Sequence, residues 1–407
     1  MPEPVVIIGA GQAGVQTAFS LRDMDYSGEI TLLNGENFLP YQRPPLSKSY
    51  LKNSVTDSSL IFRNEQLYES KQIEIMQAST AIKINRQTKS VSLTTGEELP
   101  YGKLVIATGA RNRILPFDGG ELKNVFQLRG LEDAKRLRLE LQKKPKIAVI
   151  GGGFIGLEFA SIAKELGAQV TIVEAASRVM ARAVCPTLSD YVQKVHLARG
   201  IEILLAQKIV AINSSSDFAT DLQMHDGSKL PCELVLVSVG IIPNSELAEA
   251  AGLTVSNGIQ VDATLHTSDP DIFAIGDCAC FPSDFSGRNI RLESVQNAVD
   301  QAKTVAENIC GTSTEYGSIP WFWSDQSDLK IQIAGLTSNA DTTVVSGDPA
   351  TGKFSVCCFT NNRFVGVESI NHPADHMAAR RLLAAGRKIT VQDISHPGAT
   401  LKSLAKS

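Results

Sequence analysis

The feature that most constrains the fold of this chain is an internal duplication. The segments Val5–Gly14 and Ile147–Gly156 match position for position. Each is a run of β-branched residues that predicts a buried strand, then a G-x-G-x-x-G loop, then a helical pattern, Val15–Leu21 or Leu157–Leu166. One glycine motif alone would be weak evidence, but two copies in the same strand-turn-helix setting indicate two dinucleotide-binding domains.

The glycines of both loops have a physical reason in dinucleotide binding. In each loop the first glycine (Gly9 or Gly151) permits a tight turn, the second lets the backbone approach a pyrophosphate, and the third lets helix and strand pack closely. The helix N-terminus then offers free N–H groups and a positive dipole end to the phosphates. One copy that serves only as structure is the alternative, but both copies retain all three glycines.

The residue after the next strand of each copy helps to identify the ligand. Strands are predicted at 170–173 and 30–33, so Glu174 follows the strand of the second copy, where a carboxylate would bind both ribose hydroxyls and repel a 2′-phosphate. This predicts NADH over NADPH, although Arg178 and Arg182 lie just beyond and could favour a 2′-phosphate. In the first copy the matching residue is Asn34, and the nearest acid is Glu36.

A second pair of apolar strands supports the duplication. Leu104–Ala110 and Leu234–Gly240 each end in small residues. Asp271–Asp277 predicts a further strand that ends in a Gly-Asp pair, which could place a carboxylate against a polyol chain or form an ordinary turn.

These motifs resemble those of a known family. The two glycine loops, Ala107-Thr108-Gly109 and Ile275-Gly276-Asp277 resemble the flavoprotein pyridine-nucleotide reductases of glutathione-reductase fold. Within that group, the chain is similar to the FAD-containing ferredoxin reductases of class I cytochrome P450 and Rieske oxygenase systems, such as putidaredoxin reductase and palustrisredoxin reductase. The motifs that carry this similarity are Arg43–Lys48, Phe154–Glu158, Glu293–Ala298 and Pro320–Gln326.

The resemblance implies an α/β fold of two Rossmann-like dinucleotide-binding domains and a C-terminal α+β domain. The implied FAD domain is discontinuous, 1–113 and 242–317, with an NADH domain at 114–241 and the C-terminal domain at 318–407. The pattern of the last segment agrees, because strands separated by turn residues are followed by a helix. The predicted elements are Leu329–Ile333, Thr342–Val345, Lys353–Phe359, Arg363–Ile370 and a helix from about Asp375 to Ala385.

The resemblance also implies which residues bind non-covalent FAD and NADH. For FAD these are Gly9, Ala10, Gly11, Ala13 and Gly14 at the pyrophosphate, Gly35 and Glu36 at the adenosine ribose, Ala81 at the adenine, Arg43, Pro44 and Lys48 on the phosphate and flavin side, Ala107, Thr108 and Gly109, Arg129, Gly276 and Asp277 at the ribityl chain, and Val295. For NADH they are Gly151, Gly152, Gly153, Phe154, Ile155, Gly156, Glu158, Glu174, Arg182 and Gly240. Gly35 departs from the Asp that is usual in the family.

Three residues are expected to be catalytic. The family brings the motifs of Lys48 and Glu158 beside the flavin, so we expect these two residues to pair near the flavin N5. A positive charge there would stabilise reduced, anionic flavin and help to position the nicotinamide. Glu158 as a plain solvated residue is the alternative. Trp321 and Trp323 would share one face of a strand, either as core or, for Trp323, close to the flavin.

The cysteines limit the reaction class. The first is Cys185, so the N-terminal region lacks the cysteines of glutathione-type reductases and of NADH peroxidases, and Cys278-x-Cys280 has the wrong spacing for thioredoxin reductases. Without a cysteine relay, the flavin must give its electrons directly to an acceptor, and flavin can take a hydride and release single electrons. We therefore expect hydride transfer from NADH to FAD and then electron transfer to a [2Fe–2S] ferredoxin that feeds a cytochrome P450 or Rieske-type oxygenase.

Two other classes stay open at this point. One is a different enzyme on the same scaffold: a rubredoxin reductase, an NADH oxidase or a quinone reductase. The other is a redox-sensing binding protein related to apoptosis-inducing factor. Acceptor specificity and NADH turnover would separate these classes from a ferredoxin reductase.

Charge and composition bear on partners and location. The net charge of −4 gives no support for nucleic-acid binding. Segment 317–407 holds nine basic and seven acidic residues, which is suited to an acidic ferredoxin. By family position, the expected docking cations are Arg63, Lys303, Lys330 and Lys402.

Membrane and metal binding are not expected. No apolar stretch reaches the length of a membrane span and the N-terminus does not resemble a signal peptide, so we expect a cytoplasmic protein. The scattered cysteines fit a reducing compartment. His372 and His376 have the spacing of a metal pair but no evident third ligand, so we expect no metal.

Overall fold

The structure is a computed structural model that describes residues 2–396 and 400–405. The first residue of the expected FAD domain and the last of the expected C-terminal domain, 1 and 407, lie outside the described residues.

Short strands occur along most of the chain. The strands up to residue 112 are β1 (Val5–Ile8), β2 (Ile30–Leu33), β3 (Ile73–Met76), β4 (Ala81–Asn85), β5 (Ser90–Leu93), β6 (Glu98–Pro100), β7 (Lys103–Ile106) and β8 (Ala110–Asn112). The next are β9 (Val125–Gln127), β10 (Lys146–Ile150), β11 (Gln169–Val173), β12 (Glu202–Leu204), β13 (Ile209–Ser215), β14 (Phe218–Met224), β15 (Lys229–Pro231), β16 (Leu234–Val237) and β17 (Ile241–Pro243). The last are β18 (Ile259–Gln260), β19 (Ile272–Ala274), β20 (Ala279–Ser283), β21 (Arg288–Ile290), β22 (Trp321–Gln326), β23 (Leu329–Gly335), β24 (Thr342–Asp348), β25 (Lys353–Thr360) and β26 (Arg363–Ile370).

The helices are α1 (Gln12–Asp23), α2 (Asp57–Leu60), α3 (Glu65–Ser70), α4 (Leu131–Leu141), α5 (Phe154–Glu165), α6 (Pro186–Ala198), α7 (Glu246–Ala250), α8 (Val295–Ile309), α9 (Pro373–Ala384), α10 (Val391–Ser395) and α11 (Leu401–Leu404). Short 3₁₀ turns lie at Pro44–Ser47, Gly276–Cys278 and Pro349–Thr351.

The described chain forms two compact units. The first comprises residues 2–42, 57–111 and 242–320, and the second comprises 43–56, 112–241 and the described residues from 321 onward. The segment 43–56 therefore groups with the second unit although its neighbours in the chain belong to the first.

The first unit is built on a parallel five-stranded sheet in the order β19-β7-β1-β2-β3. Each of the three middle strands is an apolar run, as expected for a sheet covered on both faces. Helix α1 connects β1 to β2, and α8 packs on α1. Two three-stranded sheets, β4-β5-β6 and β18-β20-β21, complete this unit.

The second unit repeats this plan and adds the C-terminal sheet. Its parallel sheet has the order β12-β11-β10-β16-β9, with α5 connecting β10 to β11 and the antiparallel sheet β13-β14-β15 beside it in the chain. The antiparallel sheet β22-β23-β26-β25-β24 carries α9 against β23 and β26. The expected mixed α/β class is confirmed.

The strand predictions from the duplication are accurate, but both helix predictions begin too late. Helix α1 begins at Gln12 rather than Val15, and α5 begins at Phe154 rather than Leu157. The physical reason is that the second glycine of each loop is the N-cap, so the third glycine lies inside the first helical turn. Across the described residues, the helices lack the length and apolar content that a membrane crossing requires.

Candidate functional site

The predicted FAD residues of the first unit come from loops at one edge of its parallel sheet. Because β1, β2, β7 and β19 are parallel and in register, the segments after Ile8, Leu33, Ile106 and Ala274 leave the sheet at the same edge. These segments are the glycine loop, residues 34–36, residues 107–109 and residues 275–277. This edge is where open α/β sheets bind ligands.

The glycine loop of the first unit has two kinds of glycine. A Cβ on Gly9 would collide with the carbonyl of Ala107, and a Cβ on Gly14 would collide with the carbonyl of Gly9, so packing within the protein requires both. A Cβ on Gly11, by contrast, would meet no described atom of the protein within 4 Å. Protein packing does not explain Gly11, whereas close approach of a pyrophosphate to the backbone does. The residues therefore fit a dinucleotide.

Residues after β7 and β19 are held in place by side-chain bonds. Thr108 Oγ1 donates to the carbonyl of Asn244 at 2.7 Å, and Asn244 Nδ2 donates back to the Thr108 carbonyl at 2.9 Å. The N–H of Gly276 donates to Gln301 Oε1 at 2.7 Å, while Arg291 Nη1 donates to the Asp277 carbonyl at 3.0 Å. These bonds fix the backbone on either side of the Asp277 carboxylate.

Asn34 has a structural role at the position where the second copy has its acid. Its amide donates to the Phe38 carbonyl at 2.6 Å and its Oδ1 accepts from the N–H of Glu36 at 3.1 Å. The Glu36 carboxylate in turn accepts from Tyr41 Oη at 2.6 Å. A Cβ on Gly35 would lie 3.0 Å from Thr80 Oγ1, so a larger residue at this position requires Thr80 to move slightly.

Ala81 and Val295 each begin an element of the first unit. Ala81 is the first residue of β4 and Val295 the first of α8. Ser294 caps α8 by accepting from the N–H of Asn297 at 3.1 Å.

The second unit repeats the glycine arrangement. Gly151 has a φ of +106°, and a Cβ there would collide with the Ser238 carbonyl. A Cβ on Gly153 would meet no atom of the described protein within 4 Å. Phe154 and Ile155 begin α5, and Ile155 is exposed.

Glu174 lies beside this glycine loop. Its Oε2 accepts from the N–H of Gly152 at 2.7 Å, and its Oε1 accepts from the N–H of Ala176 at 2.8 Å. The carboxylate that is expected to select NADH is thereby fixed at the edge of the sheet. Arg182 lies next to Gly240, with its Nη2 3.1 Å from where a Cβ would be.

Arg178, one of the two residues that could favour a 2′-phosphate, is engaged elsewhere. Its guanidinium donates to the carbonyls of Val184 at 2.8 Å and Ala181 at 2.7 Å. These bonds tie the loop before α6 together, which leaves Arg182 as the basic residue next to Gly240.

The expected ion pair between Lys48 and Glu158 is present in the second unit. Lys48 Nζ lies 2.6 Å from Glu158 Oε2, and the Glu158 side chain is only 5% exposed. The alternative of a solvated glutamate is therefore wrong. The same carboxylate also accepts from Ser47 Oγ at 2.5 Å and from Ser324 Oγ at 2.6 Å.

Ser47 and Ser324 are contacts that the sequence analysis missed. They reach Glu158 from the segment 43–56 and from β22, two parts of the chain far from α5 in sequence. Both lie inside motifs that carried the family resemblance, which is the signal that could have identified them.

Arg43, Pro44 and Arg129, expected at FAD, also belong to the second unit. Arg43 Nη1 donates to the Arg129 carbonyl at 2.8 Å, and Lys48 Nζ is 3.2 Å from the Pro44 carbonyl. The segment 43–48 is thus bonded to the segment that follows β9 as well as to α5.

The two tryptophans lie on one face of β22, as predicted. Their ring centroids are 5.7 Å apart, and both side chains are partly exposed. Trp321 also contacts His376 and the Arg380 guanidinium, which lies 4.5 Å from its ring centroid. Phe322, on the opposite face, packs on Phe154 at 4.6 Å.

The expected docking cations all lie at the surface. Arg63 and Lys303 are exposed on the first unit, and Lys330 and Lys402 are exposed on the second.

Cys278 follows the Gly-Asp pair after β19. Its thiol is fully buried and donates to the carbonyl of Ile275 at 3.2 Å. Burial raises the pKa of this thiol above its ordinary value, so Cys278 is a packed side chain rather than a reactive thiolate.

Comparison with known proteins extends the similarity to both units. The profile described as pyridine nucleotide-disulphide oxidoreductase matches residues 3–302, and the profile described as reductase C-terminal matches residues 321–405. Rhodocoxin reductase of Rhodococcus erythropolis is 44% identical over 398 residues, which cover 98% of this chain and 93% of that protein.

Two solved structures have the same fold. The ferredoxin reductase for the CYP199A2 system from Rhodopseudomonas palustris is 45% identical with a TM-score of 0.96, and the match covers 99% of each chain. Putidaredoxin reductase in its covalent complex with putidaredoxin is 36% identical with a TM-score of 0.96, and the match covers 100% of this chain and 99% of the other.

Proposed function

The chain belongs to the pyridine nucleotide-disulphide oxidoreductase family, and we propose that it is an NADH-dependent ferredoxin reductase that supplies a cytochrome P450 or Rieske-type oxygenase. The observation that carries the proposal is the match, over 99% of both chains, to a ferredoxin reductase of a P450 system. The expected family, the oxidoreductase activity and the use of FAD and NAD(H) are confirmed by family membership.

The residues of each sheet edge support the assignment of the two nucleotides. The edge of the first unit, with Gly11 and Asp277, suits FAD, and the edge of the second unit, with Gly153 and Glu174, suits NADH. When bound, FAD takes up an electron pair as hydride and releases electrons one at a time. The remaining predicted contacts, including Arg129, Ala81 and Gly240, stay predictions from the resemblance.

Lys48 and Glu158 hold a charge at a fixed point. Glu158 receives three donors, so its carboxylate has little freedom, and it fixes the Lys48 ammonium at 2.6 Å. We assign to Lys48 the task of stabilising negative charge where hydride arrives. A place for Trp323 close to the flavin stays a prediction from the resemblance. Replacing Lys48 with Met should slow reduction by NADH in rapid-mixing experiments, and an unchanged rate would remove Lys48 from the mechanism.

The partner assignment rests on two further observations. Two relatives are named for a small redox partner or a ferredoxin system, and a solved relative is bound to putidaredoxin. The thiol of Cys278, next to the predicted ribityl contact, is buried and inert, so this thiol provides no relay for electrons. Arg63, Lys303, Lys330 and Lys402 are the proposed docking cations for an acidic ferredoxin.

The domain division stays part of the proposal. We assign residues 1–113 and 242–317 to an FAD-binding domain, 114–241 to an NADH-binding domain and 318–407 to a C-terminal domain. We also assign the protein to the cytoplasm. The grouping of segment 43–56 with the second unit supports a role for Arg43 to Lys48 on the side of Glu158.

NADH-driven cytochrome c reduction, with and without a bacterial [2Fe–2S] ferredoxin, tests the function. Ferredoxin should raise the rate many-fold, and NADPH should be a poorer donor. If ferredoxins of several types add nothing while a rubredoxin, a quinone or oxygen accepts electrons, the partner is wrong although the family is right. Negligible turnover with every acceptor would favour a redox-sensing binding protein.

A further inference from the structure

Two thiols and a carboxyl group meet inside the second unit, in a cluster that the proposed reaction does not use. Cys185, Cys358 and Glu368 each direct one potential ligand atom to the same point, and these three atoms lie within 4.8 Å of one another. All three residues are fully buried, with exposures of 1%, 0% and 0%. We refer to them as the Cys-Cys-Glu cluster.

The fold sets this convergence. Cys185 is the N-cap of α6, while Cys358 and Glu368 lie on the neighbouring strands β25 and β26. Glu368 pairs with Val356, two residues from Cys358 on the same strand face, so Cys358 and Glu368 are diagonal neighbours on one face of the sheet. The start of α6 covers this face.

Glu368 is oriented as a ligand would be. Its Oε1 accepts from the N–H of Cys185 at 2.8 Å, which leaves Oε2 on the side of the thiols, 3.0 Å from Cys185 Sγ. Metal-binding carboxylates are commonly anchored in this way by a second hydrogen bond. The loop that carries Cys185 is itself fixed by the two carbonyl bonds of Arg178.

A fully buried carboxyl group without a counterion either stays neutral or binds a cation. Buried charges in proteins are paired or coordinate metals. Among the described residues, Glu368 has no ion-pair partner within 4.0 Å, and it accepts from the backbone N–H and the thiol of Cys185, with the Thr337 hydroxyl close by. Arg178, which ties the preceding loop, contributes positive charge at longer range.

We propose that the Cys-Cys-Glu cluster binds a borderline-soft divalent cation, with Zn²⁺ as the best fit, and so joins the start of α6 to the C-terminal sheet. Thiolate sulfur and carboxylate oxygen are zinc ligands, at about 2.3 Å and about 2.0–2.2 Å respectively, and both fit donors within 4.8 Å of one another. Binding replaces the two thiol protons, which leave to solvent, by two metal–sulfur bonds. The fourth tetrahedral position remains for a small ligand such as water. The sequence analysis expected no metal because His372 and His376 lack an evident third ligand, and it did not consider these three residues, which are far apart in the chain.

The test uses the full-length FAD-loaded protein, produced in medium supplemented with zinc or with cobalt and freed of loose metal by gel filtration. Metal per FAD is measured by plasma emission spectroscopy. We expect about one equivalent in the wild type, its loss in the double variant Cys185→Ser/Cys358→Ser, and binding weakened at least about tenfold in Glu368→Gln against a competing chelator. Cys357→Ser is the matched control, because this buried thiol packs in the apolar core on the other face of the same strand.

The cobalt-loaded wild type gives a readout that needs no variant. Tetrahedral Co²⁺ with two thiolates shows ligand-field bands at wavelengths longer than FAD absorbs, so this spectrum decides the matter if the double variant does not fold. Three results would overturn the proposal: wild type without metal after both loadings, metal retained in the double variant, or a Cys185–Cys358 disulfide found by mass spectrometry in place of the metal.

Discussion

Replacing Glu158 with Gln tests how much of the second unit depends on one buried carboxylate. Its two oxygens accept from Ser47, Lys48 and Ser324 at 2.5, 2.6 and 2.6 Å. Gln has nearly the same shape, but only one of its two terminal atoms accepts hydrogen bonds. At least one of the three donors must therefore lose its acceptor, and the Lys48 ammonium loses its counterion.

The magnitude follows from burial. Removing one partner of a buried ion pair costs about 3–5 kcal/mol. The Lys48 side chain retains 18% exposure, and its Nζ keeps contacts with the Pro44 carbonyl and Ser47 Oγ at 3.2 Å, so the low end applies. We expect Glu158→Gln to lower the free energy of unfolding by about 3 kcal/mol. Misplacement of Lys48 should slow reduction by NADH by about 10²-fold.

Urea unfolding followed by tryptophan fluorescence measures the stability, because both tryptophans, Trp321 and Trp323, lie in the second unit. Rapid mixing with NADH measures the reduction rate. The matched control is Glu165→Gln, on the same helix. Glu165 pairs with Lys52, but both side chains are more than a third exposed, and surface ion pairs contribute about 0–1 kcal/mol.

The two variants distinguish an error about the stability of the Glu158 network from an error about its role in reduction by NADH. Equal and small losses in Glu158→Gln and Glu165→Gln would refute the claim that burial makes the Glu158 network strong. A large loss of stability with an unchanged reduction rate would show that the Glu158 network stabilises the fold and has no role in flavin reduction.

Three further variants test the nucleotide preference, the ferredoxin docking surface and the stability at low pH. Glu174→Ala should lower the ratio of NADH to NADPH efficiency by about tenfold, since the ribose acceptor is lost, and unchanged kcat/KM values for both donors would contradict this. Lys330→Glu should raise the KM for ferredoxin without affecting reduction by NADH, with Lys229→Glu as the control in stopped-flow and turnover assays. Burial lowers the pKa of His196 to about 4, so below about pH 6.5 the unfolded state binds more protons than the folded state. Between pH 7 and pH 5 the free energy of unfolding should therefore fall by about 2 kcal/mol in urea titrations, and His196→Gln should make it less dependent on pH.

The sequence predicts the parallel sheets well because their signals are local. An apolar run followed by a glycine loop specifies strand, turn and helix within a short stretch, as at Val5–Gly14, and β2 and β26 lie where they were predicted. The register of parallel strands then brings the loops to one edge, so the sequence alone suffices to place Glu174 and Gly276 at the carboxyl edge of a parallel sheet.

Contacts between distant segments could not be predicted from local pattern. Ser324 is one of many serines, and only the antiparallel sheet of the C-terminal module brings it to Glu158. Cys185 and Glu368 are likewise far apart in the chain, and their contact depends on α6 packing over β26. Such pairs have no spacing rule, because the chain between them is long and belongs to several elements.

Ser324 offers the sharpest test of whether the network has a role beyond stability. Its hydroxyl is fully buried and donates to Glu158 Oε1 at 2.6 Å, so Ser324→Ala leaves a buried carboxylate oxygen without this donor, at a cost of about 1–3 kcal/mol. The loss also frees the carboxylate to turn, which should move the Lys48 charge and lower the flavin reduction potential measured by dye equilibration. Ser355→Ala is the control, because Ser355 is equally buried in the same sheet but pairs with Ser369. Equal potentials in the two variants would show that Ser324 only stabilises the fold.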